Sequence, residues 1–445
     1  MNRTPLFAWL VAAAFTVLLN ETTVGVALPS IMRAFQVSAT AAQWLVSAYL
    51  LTLGCVLPLT GSLVQRLGTT RTLGVSALIF LAGSVLALAS TELWMLVLAR
   101  VVQGAGGAPL IPLLTTTAMR DSRPEHRGRA LGIVSLAIGI APASGPVVAG
   151  LLLSLGDWRW LFAPSVLLCS AVLIRTLLAW RGGGDDRTNL LGGIDAPSAC
   201  FAALAVGGFI VAADGTLGRG IPLWACVCLG AVATTTGWAF LRRQRSLTAA
   251  GRPPVLDLRV FGSPGLRRGA ASLATGMAGL FGVFTLLPIV AGTTLGIDPL
   301  TAGLLMLPGG LLMGLLGPIV GRMADRVPSA RLTVPGLALM AVAATAFGVL
   351  RPGQWGLLLA LHLVLSAGFG LMITPLYLDA LGEQPAELVP HASAMMGTIQ
   401  QVTAALGTVV VVAVAALGES SGFLAAGLLL ASAVVFQVAP GLSRR

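Results

Sequence analysis

The sequence predicts an all-α, polytopic membrane protein. Three observations carry this. The chain of 445 residues is 56% hydrophobic and only 10% charged, with mean hydropathy +0.92; a soluble chain carries about 25% charged residues. Apolar runs recur at the length a spanning helix needs, about 20 residues. The remaining charges gather in short stretches between those runs, and alternate stretches differ sharply in their share of arginine.

Six runs come first, at residues 6–30, 41–60, 72–90, 94–117, 130–153 and 160–180. Two follow at 194–213 and 221–241, and six more at 269–292, 300–320, 332–350, 355–378, 391–417 and 421–440. These are read as fourteen helices with no soluble domain. The first run is too long for a signal-peptide core and leads straight into the second, so it is read as an uncleaved helix. Gly and Pro are frequent inside the runs, which membrane bundles tolerate through close packing and rescued backbone groups.

The loops test this count. All 27 basic residues are Arg, and the net charge is +11. With a cytoplasmic N-terminus, twenty-one arginines fall on that side. Only Arg33, Arg159, Arg219 and Arg351 fall on the other, with Arg100 and Arg175 inside spans. Such a bias places both termini in the cytoplasm. Because the arginines are spread through short loops, they indicate topology and not nucleic-acid binding. Trp44, Trp94, Trp158, Trp160, Trp180 and Trp355 sit near span ends, where indoles prefer the interface. The five cysteines lack a metal-ligand pattern and read as small packing residues.

An internal repeat divides the chain. GSLVQRLGTTR (Gly61 to Arg71) follows the second run, and GRMADRVPSAR (Gly321 to Arg331) follows the tenth. Aligned without gaps, they share the first Gly, the sixth-place Arg and the last Arg. If each follows the second helix of a six-helix set, residues 1–190 are one half and 246–445 the other. Residues 191–245 are then an inserted helix pair. Parallel six-helix repeats are one way transporters are built.

At these residues the chain resembles the major facilitator superfamily, and within it the fourteen-span drug:proton antiporters of the lincomycin-resistance type. The resemblance implies the major facilitator fold. Gly61, Leu63, Arg66 and Gly68 match the loop signature of that superfamily. Gln65 replaces its usual Asp, a carboxylate expected to latch the cytoplasmic side, whereas the second copy keeps Gly321, Asp325 and Arg326. LARVVQGAGGA matches at Arg100, Gln103, Gly104, Gly106 and Ala108, and in the family that Arg is linked to proton coupling. GIAPASGPVVAG resembles the antiporter motif through Gly145, Pro146 and Gly150, with Ala149 in a Gly position; the motif is characteristic of exporters. DWRWLF, QWLVSAYLL and HASAMMGTIQQVTAALGT add lesser matches.

Glu21 stands near the middle of the first run, where a charged side chain costs about 3 kcal/mol. A carboxyl that is neutral when sealed and ionised when wet can carry a proton. The bland alternative is an acid that only bonds a neighbouring helix. The family's usual acid falls at Asn20, and one residue on a helix is a rotation of about 100°. Arg100 cannot release its proton, but it can hold an acid ionised, so a Glu21–Arg100 pair is expected; a static ion pair is the rival reading. Gly145, Pro146 and Gly150 suit close packing and a bend in the fifth span. Asn20, Gln43, Gln103, Gln400, Gln401 and Thr403 are the expected polar lining of a cavity with apolar walls, which fits a hydrophobic or amphipathic ligand. His362 reads as a packing residue. Asp195 and Asp214 bracket the seventh span.

The expected function is proton-coupled efflux of hydrophobic drugs or antibiotics across the cytoplasmic membrane by two rocking halves. A monomer is expected, with the proton gradient in place of a cofactor and no metal. An exporter of a lipid, siderophore or metabolite, or a sensor-like homologue that moves nothing, are the alternatives. No nucleophile, base or metal cluster points to an enzyme.

Overall fold

The computed structural model describes residues 4–154, 156–181, 195–216, 222–297 and 299–438, and every regular element among them is helical. The 190/191 boundary, Arg187 and both chain ends lie outside these residues, as do the side chains of Pro146, Trp180 and Asp214. The first helices are α1 (Thr4–Phe35), α2 (Ala39–Val56), α3 (Thr60–Leu88), α4 (Leu93–Gly107) and α5 (Leu110–Asp121). Then come α6 (Arg127–Leu153), α7 (Ala163–Arg181), α8 (Ala196–Thr216), α9 (Leu223–Ala249) and α10 (Pro264–Thr293). The last are α11 (Pro299–Ala324), α12 (Ala330–Phe347), α13 (Trp355–Gly382), α14 (Val389–Ala415) and α15 (Glu419–Val438). Among the described residues, eleven stretches are long and apolar enough to cross a membrane.

Local chemistry sets several ends. α1 stops where Gln36 turns to φ 52° and its side-chain amide donates to the Arg33 carbonyl at 2.7 Å. Ser38 caps α2 by accepting from the Ala41 N–H. Within α3, Gly68 has φ 76° and ψ 170°, so two helical segments meet there at an angle. That conformation is open to Gly and strained for residues with a Cβ.

One apolar cluster runs through the molecule from Leu10 to Ala433. A second gathers Val24, Leu45, Leu96, Trp158 and Phe162 at the end of α1 opposite its start. Trp158 differs from the interfacial role expected of it: it is 4% exposed and packs on Phe35 and Phe162. Trp44, Trp94, Trp160 and Trp355 are exposed as expected. Cys200 and Cys228 are also exposed, not packed; a thiol is apolar enough to face lipid.

Helices α6 and α11 approach so closely that their glycines meet backbone to backbone. A Cβ on Gly128 would strike the Gly321 carbonyl, one on Gly132 the Gly317 carbonyl, and one on Gly139 would strike Gly314. Gly150 and Gly303, nearer the other ends of these helices, have no neighbour within 4 Å of their Cβ positions. The two helices are therefore in direct backbone contact toward the arginine-rich end.

The pair α8–α9 is tied together at the same arginine-rich end. Asp195 accepts from Arg243 Nε at 2.6 Å and Nη2 at 2.8 Å. These bonds, more than any other contact, hold the Asp195 carboxyl below the usual carboxylate range. Asp257, in the segment after α9, is nearly buried. Burial pushes its carboxyl up, but bonds from the Arg259 side chain and backbone N–H outweigh this and hold it below its ordinary value.

Candidate functional site

Two sets of side chains stand out. The first centres on Arg100, which α4 places in full burial. Its Nε donates to the Leu45 carbonyl at 2.9 Å. Its Nη1 donates to Asn20 Oδ1 at 2.5 Å and to Gln103 Oε1 at 2.9 Å. The guanidinium also lies 4.0 Å from the centre of the Tyr49 ring, a cation–π contact that replaces part of the lost hydration. Gln103 in turn donates to Ser84 Oγ at 2.9 Å, and Asn20 Nδ2 to Ser165 Oγ at 3.3 Å. Helices α1, α2, α3, α4 and α7 are thus stitched around one cation. Nη2 has no hydrogen-bond partner among the described residues.

The expected Glu21–Arg100 pair is not formed. Asn20 occupies the position against Arg100, and the one-residue step turns Glu21 aside. Glu21 is half-buried, and no hydrogen bond or ion pair joins it to Arg100 among the described residues. Its carboxyl is still within electrostatic reach of Arg100 and Tyr49. Immediately after it, Thr22 packs directly on Gly145, where a Cβ would collide with the Thr22 hydroxyl. Gly145 therefore brings α6 against α1 beside Glu21. Gly150 does not share this role, because the space around it is open.

The second set closes the arginine-rich end. Asp325 accepts from the backbone N–H of Gly128 at 2.6 Å and of Arg129 at 3.0 Å. A carboxylate there satisfies free donors at the start of α6 and complements the helix dipole. In the first repeat copy Gln65 brings no negative charge. It donates instead to the Glu387 carbonyl, just before α14, at 2.6 Å. Gly61 packs on His391, 2.6 Å from its Cβ position to Nδ1. Ser135 and Thr374 share a hydrogen bond of 2.6 Å across the α6–α13 contact. Arg66 is half-buried and Arg326 exposed at this end.

Beside the Ser135–Thr374 bond lies a small cavity with Thr115, Phe369, Tyr377 and Gln400 in its walls. It has room for about one water molecule. Tyr377 donates to Gln400 Oε1 at 3.2 Å.

The expected cavity residues therefore separate. Asn20 and Gln103 belong to the Arg100 cluster, and Gln400 lines the small cavity. Gln401 borders Gly54 of α2. Gln43 is not among the partners of Arg100, and the Thr403 hydroxyl returns to its own helix at the Ile399 carbonyl. Sequence reasoning missed Tyr49, Ser84, Ser165, Ser135, Thr374 and Tyr377. One signal was available: the chain has only two tyrosines, and each lies in one of these sets. His362 is buried as expected and bonds the Met306 carbonyl through Nε2.

A family model described as Major Facilitator Superfamily matches residues 10–408. The chain is 32% identical over 422 residues to the lincomycin resistance protein LmrB of Listeria monocytogenes, covering 94% of this chain and 87% of that one. It is 27% identical over 396 residues to the multidrug resistance protein B homolog of Mycobacterium tuberculosis, covering 87% and 72%. Among solved structures, it is similar to the human organic anion transporter MFSD10, with TM-score 0.71 at 13% identity and coverage of 98% and 100%. It is also similar to the proton:xylose symporter XylE, with TM-score 0.66 at 16% identity and coverage of 98% and 96%. At these identities the two structures speak for the fold alone.

Proposed function

The chain belongs to the Major Facilitator Superfamily, a family of transporters and not enzymes, and on that premise we propose that it is a proton-coupled exporter of hydrophobic or amphipathic drugs. The observation that carries this reading is the carboxyl of Glu21, beside a buried Arg100 whose Nη2 lacks a hydrogen-bond partner among the described residues and next to the Gly145–Thr22 contact of α6 with α1. Relatives named for lincomycin and multidrug resistance support a drug as the cargo.

In the proposed cycle, Glu21 takes a proton from the outer side while that side is open. Once neutral, it no longer competes for Arg100, and the halves rock about the α6–α11 contact. Exposure to the cytoplasm releases the proton, and the ionised carboxylate turns toward the free Nη2. The cargo sits in the space between the halves, held by apolar walls and few polar groups. Residues 1–190 and 246–445 act as the rocking halves, with 191–245 inserted.

Fourteen spans are part of the proposal. The stretch Ala41–Leu88 is 48 residues long, about 70 Å of helix, and serves as two spans joined at Gly68. Helices α4 and α5 together serve as one. The arginine bias puts the joined end and both termini in the cytoplasm, and the site of action at the cytoplasmic membrane. One chain contains the whole pathway, so a monomer suffices, and the proton gradient replaces any cofactor.

The test is accumulation of several dyes and antibiotics in cells carrying the native chain or Glu21→Gln. The native chain is expected to lower accumulation at least threefold, and both a protonophore and Glu21→Gln to abolish the difference. Equal export by both chains, unaffected by gradient collapse, would refute proton coupling through Glu21.

A further inference from the structure

The internal repeat reaches further than its two loops. Counted back twelve residues from Gly61 and from Gly321, it sets Gly309 of α11 in the place of Tyr49 of α2. Tyr49 is the ring against which Arg100 lies. A Cβ on Gly309 would strike the ring of His362 and Ser366 Oγ. Arg100 stands seven residues after Leu93, where α4 begins, and His362 seven residues after Trp355, where α13 begins. Six residues beyond each, Gly106 packs on the α3 backbone at Phe80, and Gly368 on the α12 backbone at Gly336. Arg100 donates to the Leu45 carbonyl of α2, and His362 Nε2 bonds the Met306 carbonyl of α11 at 3.0 Å. Where Arg100 meets Asn20 of α1, His362 meets Phe284 of α10, with ring centres 6.3 Å apart. His362 therefore holds, in the second copy, the place that Arg100 holds in the first.

The two positions differ in chemistry. A guanidinium keeps its proton; an imidazole gains or loses one at about pH 5 to 8. A carbonyl only accepts, so Nε2 carries the hydrogen, and in the neutral ring Nδ1 holds a bare lone pair. Nδ1 and Ser366 Oγ are both buried with no hydrogen-bond partner among the described residues. Four positions apart, they share one helix face. A side chain that only packed here would serve better as Leu, which strands no polar atom.

The other titratable groups on the helices against α13 lie toward the arginine-rich end: Arg267 and Arg268 of α10, Arg322 of α11, Arg331 of α12, Arg127 and Arg129 of α6, and His391 of α14. Tyr377 and Asp379 of α13 itself lie that way too. Arg351, before α13, is exposed. Among the described residues, Nδ1 thus has no charged neighbour.

We propose that His362 is a second proton-binding site of the transport cycle, taking its proton at Nδ1, with Ser366 Oγ accepting from the N–H so formed. The proposal rests on the transport reading above. A proton from the outer solution forms the Nδ1–H bond while that side is open. After the halves have rocked, that bond breaks, the proton leaves to the cytoplasm, and the neutral ring returns. Arg100 and His362 stand equally far along their helices from the arginine-poor end, so one opening reaches both.

The test is the slope of a dye gradient against the pH gradient, in liposomes holding the purified chain and ethidium. Potassium and valinomycin hold the voltage at zero, so the logarithm of the ethidium gradient rises in proportion to the protons exchanged. His362→Gln keeps an amide N–H for the Met306 carbonyl but cannot titrate. It is expected to lower the slope about twofold. A merely structural ring would alter the rate and not the slope, and a slope equal to the native one overturns the proposal.

Nitrogen NMR of the histidine-labelled chain gives a reading that needs no change at His362. The chain has three histidines, and the signals that survive both His126→Gln and His391→Gln, made singly, belong to His362. They are expected to show a bare Nδ1 at about pH 8 and a protonated one by about pH 5. A ring that stays neutral throughout, or that carries its one proton on Nδ1 at the higher pH, overturns the proposal. If the native chain moves no dye at all, it is the transport reading that fails, and the titration still decides whether Nδ1 binds a proton.

Discussion

Arg100 holds a full charge in complete burial, and the oxygens that touch it are amide and carbonyl oxygens from Leu45, Asn20 and Gln103. Removing a neutral hydrogen-bond partner from a charged group costs about 1.5–3 kcal/mol. Asn20→Leu is therefore expected to lower the melting temperature of the purified chain clearly, whereas Gln43→Leu, outside the cluster, leaves it unchanged. Arg100→Lys keeps the charge but loses the planar fork that reaches Leu45, Asn20 and Gln103 together. Its dye efflux is expected to fall at least tenfold while the chain still inserts, read by efflux normalised to membrane content. Glu21 stands apart from this cluster because Asn20, its neighbour in sequence, holds the position against Arg100.

For the helices, the decisive contact is α6 on α11. Gly132→Leu drives a side chain into the Gly317 backbone, and neither helix has a flexible group there to yield. Export and folded yield are both expected to collapse. Gly150→Leu meets open space and is expected to leave both intact; the contrast is measured by fluorescence-detected size exclusion. The end contacts are weaker individually. Asp325→Asn retains shape but loses the charge at the start of α6, worth about 0.3–1 kcal/mol. A cysteine at Ser135 is expected to react several-fold faster with a thiol reagent in inside-out vesicles when Asp325 is Asn, because the closed end opens more often. Gln65→Ala removes one neutral hydrogen bond, about 1 kcal/mol.

For the molecule as a whole, the attachment of α8–α9 carries a pH signature. Asp195 has a depressed carboxyl pKa in the folded chain, so its stabilisation is fully present above the unfolded value near 4. It is lost only as pH falls through the lower folded value. Between pH 8 and 5 the attachment is expected to be insensitive to pH. Below about 4, melting temperature is expected to fall more steeply for the native chain than for Asp195→Asn, which has no such carboxylate to protonate. Thermal unfolding across that range checks this.

Composition and run length determined that the chain is helical and built for a bilayer, because a bilayer core leaves the backbone few alternatives to a helix. The family resemblance marked Arg100, Gln103, Gly145 and Asp325, and the cost of a charge inside an apolar run marked Glu21. What each one touches was decided by the tertiary structure. Asn20 and not Glu21 meets Arg100, since a helix turns about 100° per residue and only packing fixes which face is inward. Tyr49 and Tyr377 are ordinary letters in the sequence until folding sets one against a guanidinium and the other against Gln400. Gly145 and Gly150 look alike in the motif, yet one sits against Thr22 and the other in open space. That difference depends on which helix packs against each position, a property of segments far apart in the chain.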